Sequence, residues 1–142
     1  MVAIGERLVR QKLTGGVMRG ILNILWAIFG GGFVLALEYL LAGVLCCLTI
    51  VGIPFGTQCF KLAGLALFPF GKDFNDAGPR GTGNVLFNLL WLVFAGLWIF
   101  LSHLAIALSL AVTIIGIPFA IQHVKLASLA LMPFGVRVRE VR

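Results

Sequence analysis

Between Gly81 and Val124 the chain runs for 44 consecutive positions without a Lys, Arg, Asp or Glu. An earlier apolar run begins after Arg19 and is broken only by Glu38 and Lys61 before the polar stretch that starts at Lys72. About 20 apolar residues cross a bilayer as a helix, so the pattern predicts an all-α integral membrane protein. At about 1.5 Å per residue, Arg19 to Glu38 spans roughly 28 Å and Glu38 to Lys61 roughly 34 Å, each close to the hydrocarbon thickness. Arg80 to His103 and His103 to Lys125 give similar spans.

The two runs are copies of one another. NILWAIFGG from Asn23 returns as NLLWLVFAG from Asn88, and TIVGIPFGTQCFKLAGLALFPFG from Thr49 returns as TIIGIPFAIQHVKLASLALMPFG from Thr113. Offsets of 65 and then 64 residues leave the second copy one residue shorter. The expected architecture is two tandem helical hairpins, about four transmembrane helices broken at Gly-Ile-Pro. The segments are an amphipathic cytoplasmic segment at 1–18, repeats at 19–71 and 83–136, a polar linker at 72–82 and a basic tail at 137–142. On this count the far turns fall near Glu38 and His103, yet EYLLAG and SHLAIA hold no Pro, Asn or Asp. The strong breakers are Gly52-Ile53-Pro54 and Gly116-Ile117-Pro118, which suit a helix stop and a restart with Pro in the first turn. The alternative is therefore one long tilted helix per copy, followed by a short helix from Pro54 to about Phe68 that is re-entrant or interfacial.

Composition agrees with a membrane setting: 61% of residues are hydrophobic and 11% charged, against roughly 45–50% and 25% in soluble domains. The net charge of +6 does not suggest nucleic acid, because the basic residues punctuate apolar runs instead of clustering on a water-facing surface. In the hairpin layout all 11 Lys and Arg fall on one side, which puts both termini and the linker in the cytoplasm. The first apolar stretch is longer than a signal-peptide core and no A-x-A site follows it, so it is expected to be a retained anchor. Cys46, Cys47 and Cys59 form neither a disulfide framework nor a metal-ligand spacing, and no metal or cofactor is expected.

Ionisable groups within apolar segments mark candidate sites. Glu38 and His103 occupy matching places at the 65-residue offset, so they are expected to face each other as acid and imidazole, or else to sit at the wet far interface. Gln58 with Lys61, and Gln122 with Lys125, lie one helical turn apart. They are candidate ion-interacting groups at a cytoplasmic mouth, or topology anchors that snorkel to the headgroups. Asn23 and Asn88, three residues before Trp26 and Trp91, are candidates for bonds between helices. Gly52, Pro54, Gly116 and Pro118 are candidate helix-break and packing positions. Trp98 has no counterpart, since Phe33 holds that place. No phosphate loop, H-E-x-x-H or G-x-S-x-G elbow occurs, and no enzymatic chemistry is expected.

The GIPF…Q…KLA…L…PFG signature, present twice over residues 19–136, resembles the YccF family of small bacterial inner-membrane proteins with a repeated inner-membrane component domain. The resemblance implies a bacterial inner-membrane location and brings no biochemical activity with it. The functional expectation is a homo-oligomeric ion channel or small transport unit. The alternative is a non-catalytic accessory or scaffolding protein that binds a larger membrane partner or lipids.

Overall fold

The computed structural model describes residues 2–76, 78 and 81–141; Arg80, from which one span was counted, and Arg142 lie outside the described residues. The first copy opens with α1 (Val2–Phe29), one helix that runs from the N-terminal segment into the apolar run. Gly31, in the left-handed region at φ 75°, breaks the chain there. α2 (Gly32–Cys47) leaves at 73° to α1, and α3 (Ile53–Leu67) returns. The second copy passes the same point without a break. α4 (Thr82–Trp91), a π turn at Leu92–Gly96 and α5 (Leu97–Ala111) form one continuous helix of 30 residues, and α6 (Ile117–Leu131) returns.

The hairpin turns lie at 48–52 and 112–116, so Glu38 and His103 sit inside α2 and α5 and the turns expected near them do not form. Nothing in EYLLAG or SHLAIA leaves helical space, whereas Gly-Ile-Pro does. Thr49 Oγ1 and Thr113 Oγ1 accept the N–H groups of Gly52 and Gly116, and Pro54 and Pro118 stand in the first turns of α3 and α6. Each copy is thus a long helix, bent in one case, followed by a short one, as in the alternative drawn from the breakers. Among the described residues, one helix, Thr82–Ala111, is long and apolar enough to cross a membrane, and the count rises to two if the bent α1–α2 pair is one span.

The all-α expectation also omits a small sheet: β1 (Lys72–Asp76), in the polar linker, pairs antiparallel with β2 (Val136–Glu140). Two strands are marginal by themselves, and this pair is fixed because Phe74 and Val138, directly opposite in register, pack on the hydrophobic core. That core lies between the copies. Phe55 of α3 meets Phe87, Trp91 and Phe134 of the second copy, while Phe119 of α6 meets Trp26 and Phe70 of the first. The reciprocal insertion relates the repeats by a pseudo-two-fold, with the sheet at one end and the two Gly-Ile-Pro tips at the hairpin turns. At the tips Ile50 and Ile114 are each 87% exposed, apolar groups left for lipid or protein to cover.

Candidate functional site between the repeats

At the sheet end, each copy closes on itself through its first helix. Asn23 Nδ2 donates to Phe70 O (3.0 Å) and its Oδ1 accepts the Phe70 N–H (2.9 Å); Asn88 holds Phe134 in the same way, at 3.0 Å for both bonds. Trp26 Nε1 donates to Ala66 O (2.6 Å) and Trp91 Nε1 to Ala130 O (2.7 Å). The Asn residues therefore clamp the backbone of the Pro-Phe-Gly turns to the first helix of each copy. The turns need glycine, because Gly71 and Gly135 stand at φ 86° and 81°.

The lysines do the opposite and cross between copies. Lys61 Nζ donates to Pro133 O and to Val136 O (3.0 Å), and Lys125 Nζ donates to Pro69 O (2.7 Å) and Lys72 O (2.8 Å). Each ammonium is thus committed to the turn that ends the other repeat. These bonds answer a need of the turns, since backbone carbonyls left in a tight turn are strong acceptors that must be satisfied. One turn away, Gln58 and Gln122 bury Oε1 atoms without a protein partner.

Deeper in, three side chains form a continuous hydrogen-bonded chain. Tyr39 Oη lies 2.8 Å from His103 Nε2, His103 Nδ1 lies 3.0 Å from His123 Nδ1, and His123 Nε2 lies 3.1 Å from Gly30 O. The terminal carbonyl assigns every proton for neutral imidazoles. Gly30 O only accepts, so His123 carries its proton on Nε2 and its Nδ1 accepts. His103 therefore donates from Nδ1 and accepts at Nε2, and the donor there is the Tyr39 hydroxyl. His103 and His123 are 2% and 1% exposed, and Trp26 lies against the His123 ring with centroids 4.8 Å apart. The chain starts in α2, crosses α5 and α6 of the second copy, and returns to the break between α1 and α2.

Glu38 takes no part in it. The residue turned inward on α2 is its neighbour Tyr39, while Glu38 is exposed. The reason is the position of the one-residue difference. Because the break at Gly30 to Gly32 absorbs it, Gly32, Tyr39 and Gly43 match Gly96, His103 and Ala107 at an offset of 64, and all six are buried. The same shift sets Trp98 opposite Val34 instead of Phe33. Tyr39, His123 and Gly30 are absent from the sequence-derived candidates. One signal was available: within the matching Gln-x-x-Lys segments, Cys59 of the first copy is replaced by His123 of the second. Among the described residues, no group of three or more His, Cys, Asp or Glu side chains is placed to hold a metal ion.

The family profile described as an inner membrane component domain, YccF, matches residues 21–72 and 86–136, one segment for each repeat. Over 133 residues the chain is 37% identical to the inner membrane protein YccF of Escherichia coli (strain K12), covering 87% of this chain and 89% of that protein. The protein of the same name from Shigella flexneri gives the same figures. No solved structure matches. One match for each repeat and this identity over most of both chains show that the chain belongs to the YccF family of inner membrane proteins.

Proposed function

We propose that the chain is a small multi-pass transport unit of the bacterial inner membrane, working as a homo-oligomer, whose moving charge is a proton loaded on the Tyr39, His103 and His123 chain. The observation that carries this reading is the buried, titratable chain at the interface of two repeats, ending at a broken helix. Substrate and coupling-ion sites of secondary transporters lie at such repeat interfaces beside interrupted helices. Histidine is the side chain that changes charge between roughly pH 5 and 8. A proton taken up at His103 Nε2 makes Tyr39 Oη an acceptor, and the positive charge is shared through Nδ1 with His123. The path stops at Gly30 O, an amide oxygen with no proton to pass on. The chain is therefore a loading site that fills and empties as the repeats move, not a wire.

Lys61 and Lys125 are used within the protomer, which favours transport by each protomer over a pore between protomers. Arg19, Lys61, Lys72, Lys125, Arg137 and Arg139 gather at the sheet end, which supports cytoplasmic termini and tips on the far side. No enzymatic step belongs to this reading. The second reading, an accessory protein docking on a larger membrane protein, draws on the same basic end. Co-purification of a stoichiometric partner from native membranes favours it.

The test is proton flux into liposomes holding the purified protein and a trapped pH-sensitive dye. Flux is expected to rise as the outside is made more acid, because a proton must enter the chain before it can be carried. Tyr39→Phe and His123→Ala should each cut it at least about tenfold, the factor that about 1.4 kcal/mol of lost interaction represents. Trp98→Ala, at an exposed ring, should leave it unchanged. Flux equal to that of protein-free liposomes, or unchanged in both chain variants, overturns the reading.

A further inference from the structure

At the sheet end the two repeats differ in charge at one corner. Between α1 and the sheet of the first copy lies a cavity of about 360 Å³ lined by Arg19, Lys72, Glu140 and Phe68. The stem of Arg19 rests on Gly71, where a Cβ atom would come within 3.0 Å of its Cδ, and Nη1 donates to Val141 O (2.6 Å). That bond uses one of the five N–H donors of a guanidinium. Lys72 Nζ is steadied by Gly64 O (3.0 Å) and lies 5.8 Å from the centre of the exposed Phe68 ring. Glu140 stands directly opposite Lys72 across the sheet. Two fixed cations and one carboxylate thus share a wall with an aromatic ring.

The corresponding positions of the second copy are Asn84, Val136 and Asp76, so the acid is kept and both cations are missing. A general need for positive charge at this end does not explain a pair confined to one side. Arg19 is also the last charged residue before the apolar run that reaches to Glu38, which sets the cavity at the edge of the membrane-embedded surface. A guanidinium and an ammonium together suit a phosphate. The carboxylate beside them disfavours a purely anionic group and suits an ammonium attached to that phosphate.

We propose that this cavity binds the headgroup of a phospholipid bearing a primary amine, with the phosphate on Arg19 and Lys72, the ammonium on Glu140 and an acyl chain along Phe68. The site needs only a membrane–water interface at the sheet end, and holds whether or not anything is transported.

Native mass spectrometry of the purified full chain, exchanged into micelles doped with equal amounts of phosphatidylethanolamine, phosphatidylglycerol and phosphatidylcholine, reads the site directly. One phosphatidylethanolamine is expected to be retained in preference to the other two. Arg19→Ala with Lys72→Ala should lower retention about tenfold, the loss of roughly one charge-assisted hydrogen bond. Glu140→Gln should keep phosphate binding and erase the preference for the primary amine over phosphatidylcholine. Unchanged circular dichroism of both variants shows that the fold is kept; if the double variant loses it, Glu140→Gln alone decides. Equal retention of all three lipids by the unmodified chain, or an unaltered preference in Glu140→Gln, overturns the proposal. So does displacement of the lipid by millimolar phosphate or free phosphoethanolamine, which reassigns the cavity to a soluble ligand.

Discussion

Gly52→Ala and Gly116→Ala are expected to destabilise the fold by about 3 kcal/mol each, the upper range for forcing atoms into a packed site. A Cβ atom at Gly52 would lie 2.0 Å from Cys46 O, and at Gly116 2.1 Å from Leu110 O. Both glycines have ordinary helical backbone, at φ −79° and −76°, so the requirement is for space and not for a left-handed conformation. The clashing atoms are main-chain carbonyls of the preceding helix, which cannot swing aside as the end of a flexible side chain does. The hairpin must open, and with it the α2–α3 or α5–α6 packing. Gly64→Ala is the control: nothing stands within 4 Å of a Cβ there, and Ala for Gly in a helix gains about 0.5–1 kcal/mol. Unfolding followed by tryptophan fluorescence in mixed micelles measures all three, and equal stability of Gly116→Ala and Gly64→Ala would refute the turn geometry.

The second large effect is expected at Trp26. The indole is fully buried, is ringed by Phe70, Phe119 and His123, and donates to Ala66 O. Truncation to Ala should cost about 3–5 kcal/mol through the cavity alone. The orphaned Ala66 carbonyl adds about 1–3 kcal/mol more. Because Gly30 and Gly32 are packed directly on this ring, with built Cβ atoms 2.4 and 2.1 Å from it, the void opens at the α1–α2 break. Trp26→Phe should recover most of the packing and only the hydrogen-bond cost should remain. Trp98→Ala, at a ring 65% exposed, should stay within about 0.5 kcal/mol of the parent in the same unfolding assay.

The repeat and the helix stop were legible because both are local: Gly-Ile-Pro changes the backbone where it stands, and its second occurrence fixes its meaning. The inward face of α2 was not. A single residue absorbed at Gly30 to Gly32 rotates everything after it, so a 65-residue offset pairs His103 with Glu38 where the fold pairs it with Tyr39. The lysine exchange was hidden for another reason. Lys61 reaches residues 72 and 75 positions away in the other copy, and no spacing within one repeat encodes that. The Asn clamps were legible as polar groups on an apolar face, but their partner is the backbone of a turn that exists only once the hairpin has closed. Of the strands, VRVRE carries the period of two and KDFND does not, so the pair becomes readable only when the repeats bring them together.

The two repeats meet through a hydrogen-bonded chain with one fixed order of donors. The chain has two histidines, so the ¹⁵N spectrum of histidine-labelled protein in lipid bilayers, recorded at alkaline pH, contains only the two rings in question. One ring, His103, is expected to be protonated on Nδ1 and the other, His123, on Nε2, with a through-space correlation between the two Nδ1 atoms; Tyr39→Phe should shift the Nε2 resonance of the first alone. Two rings of the same tautomer, without that correlation, would contradict it.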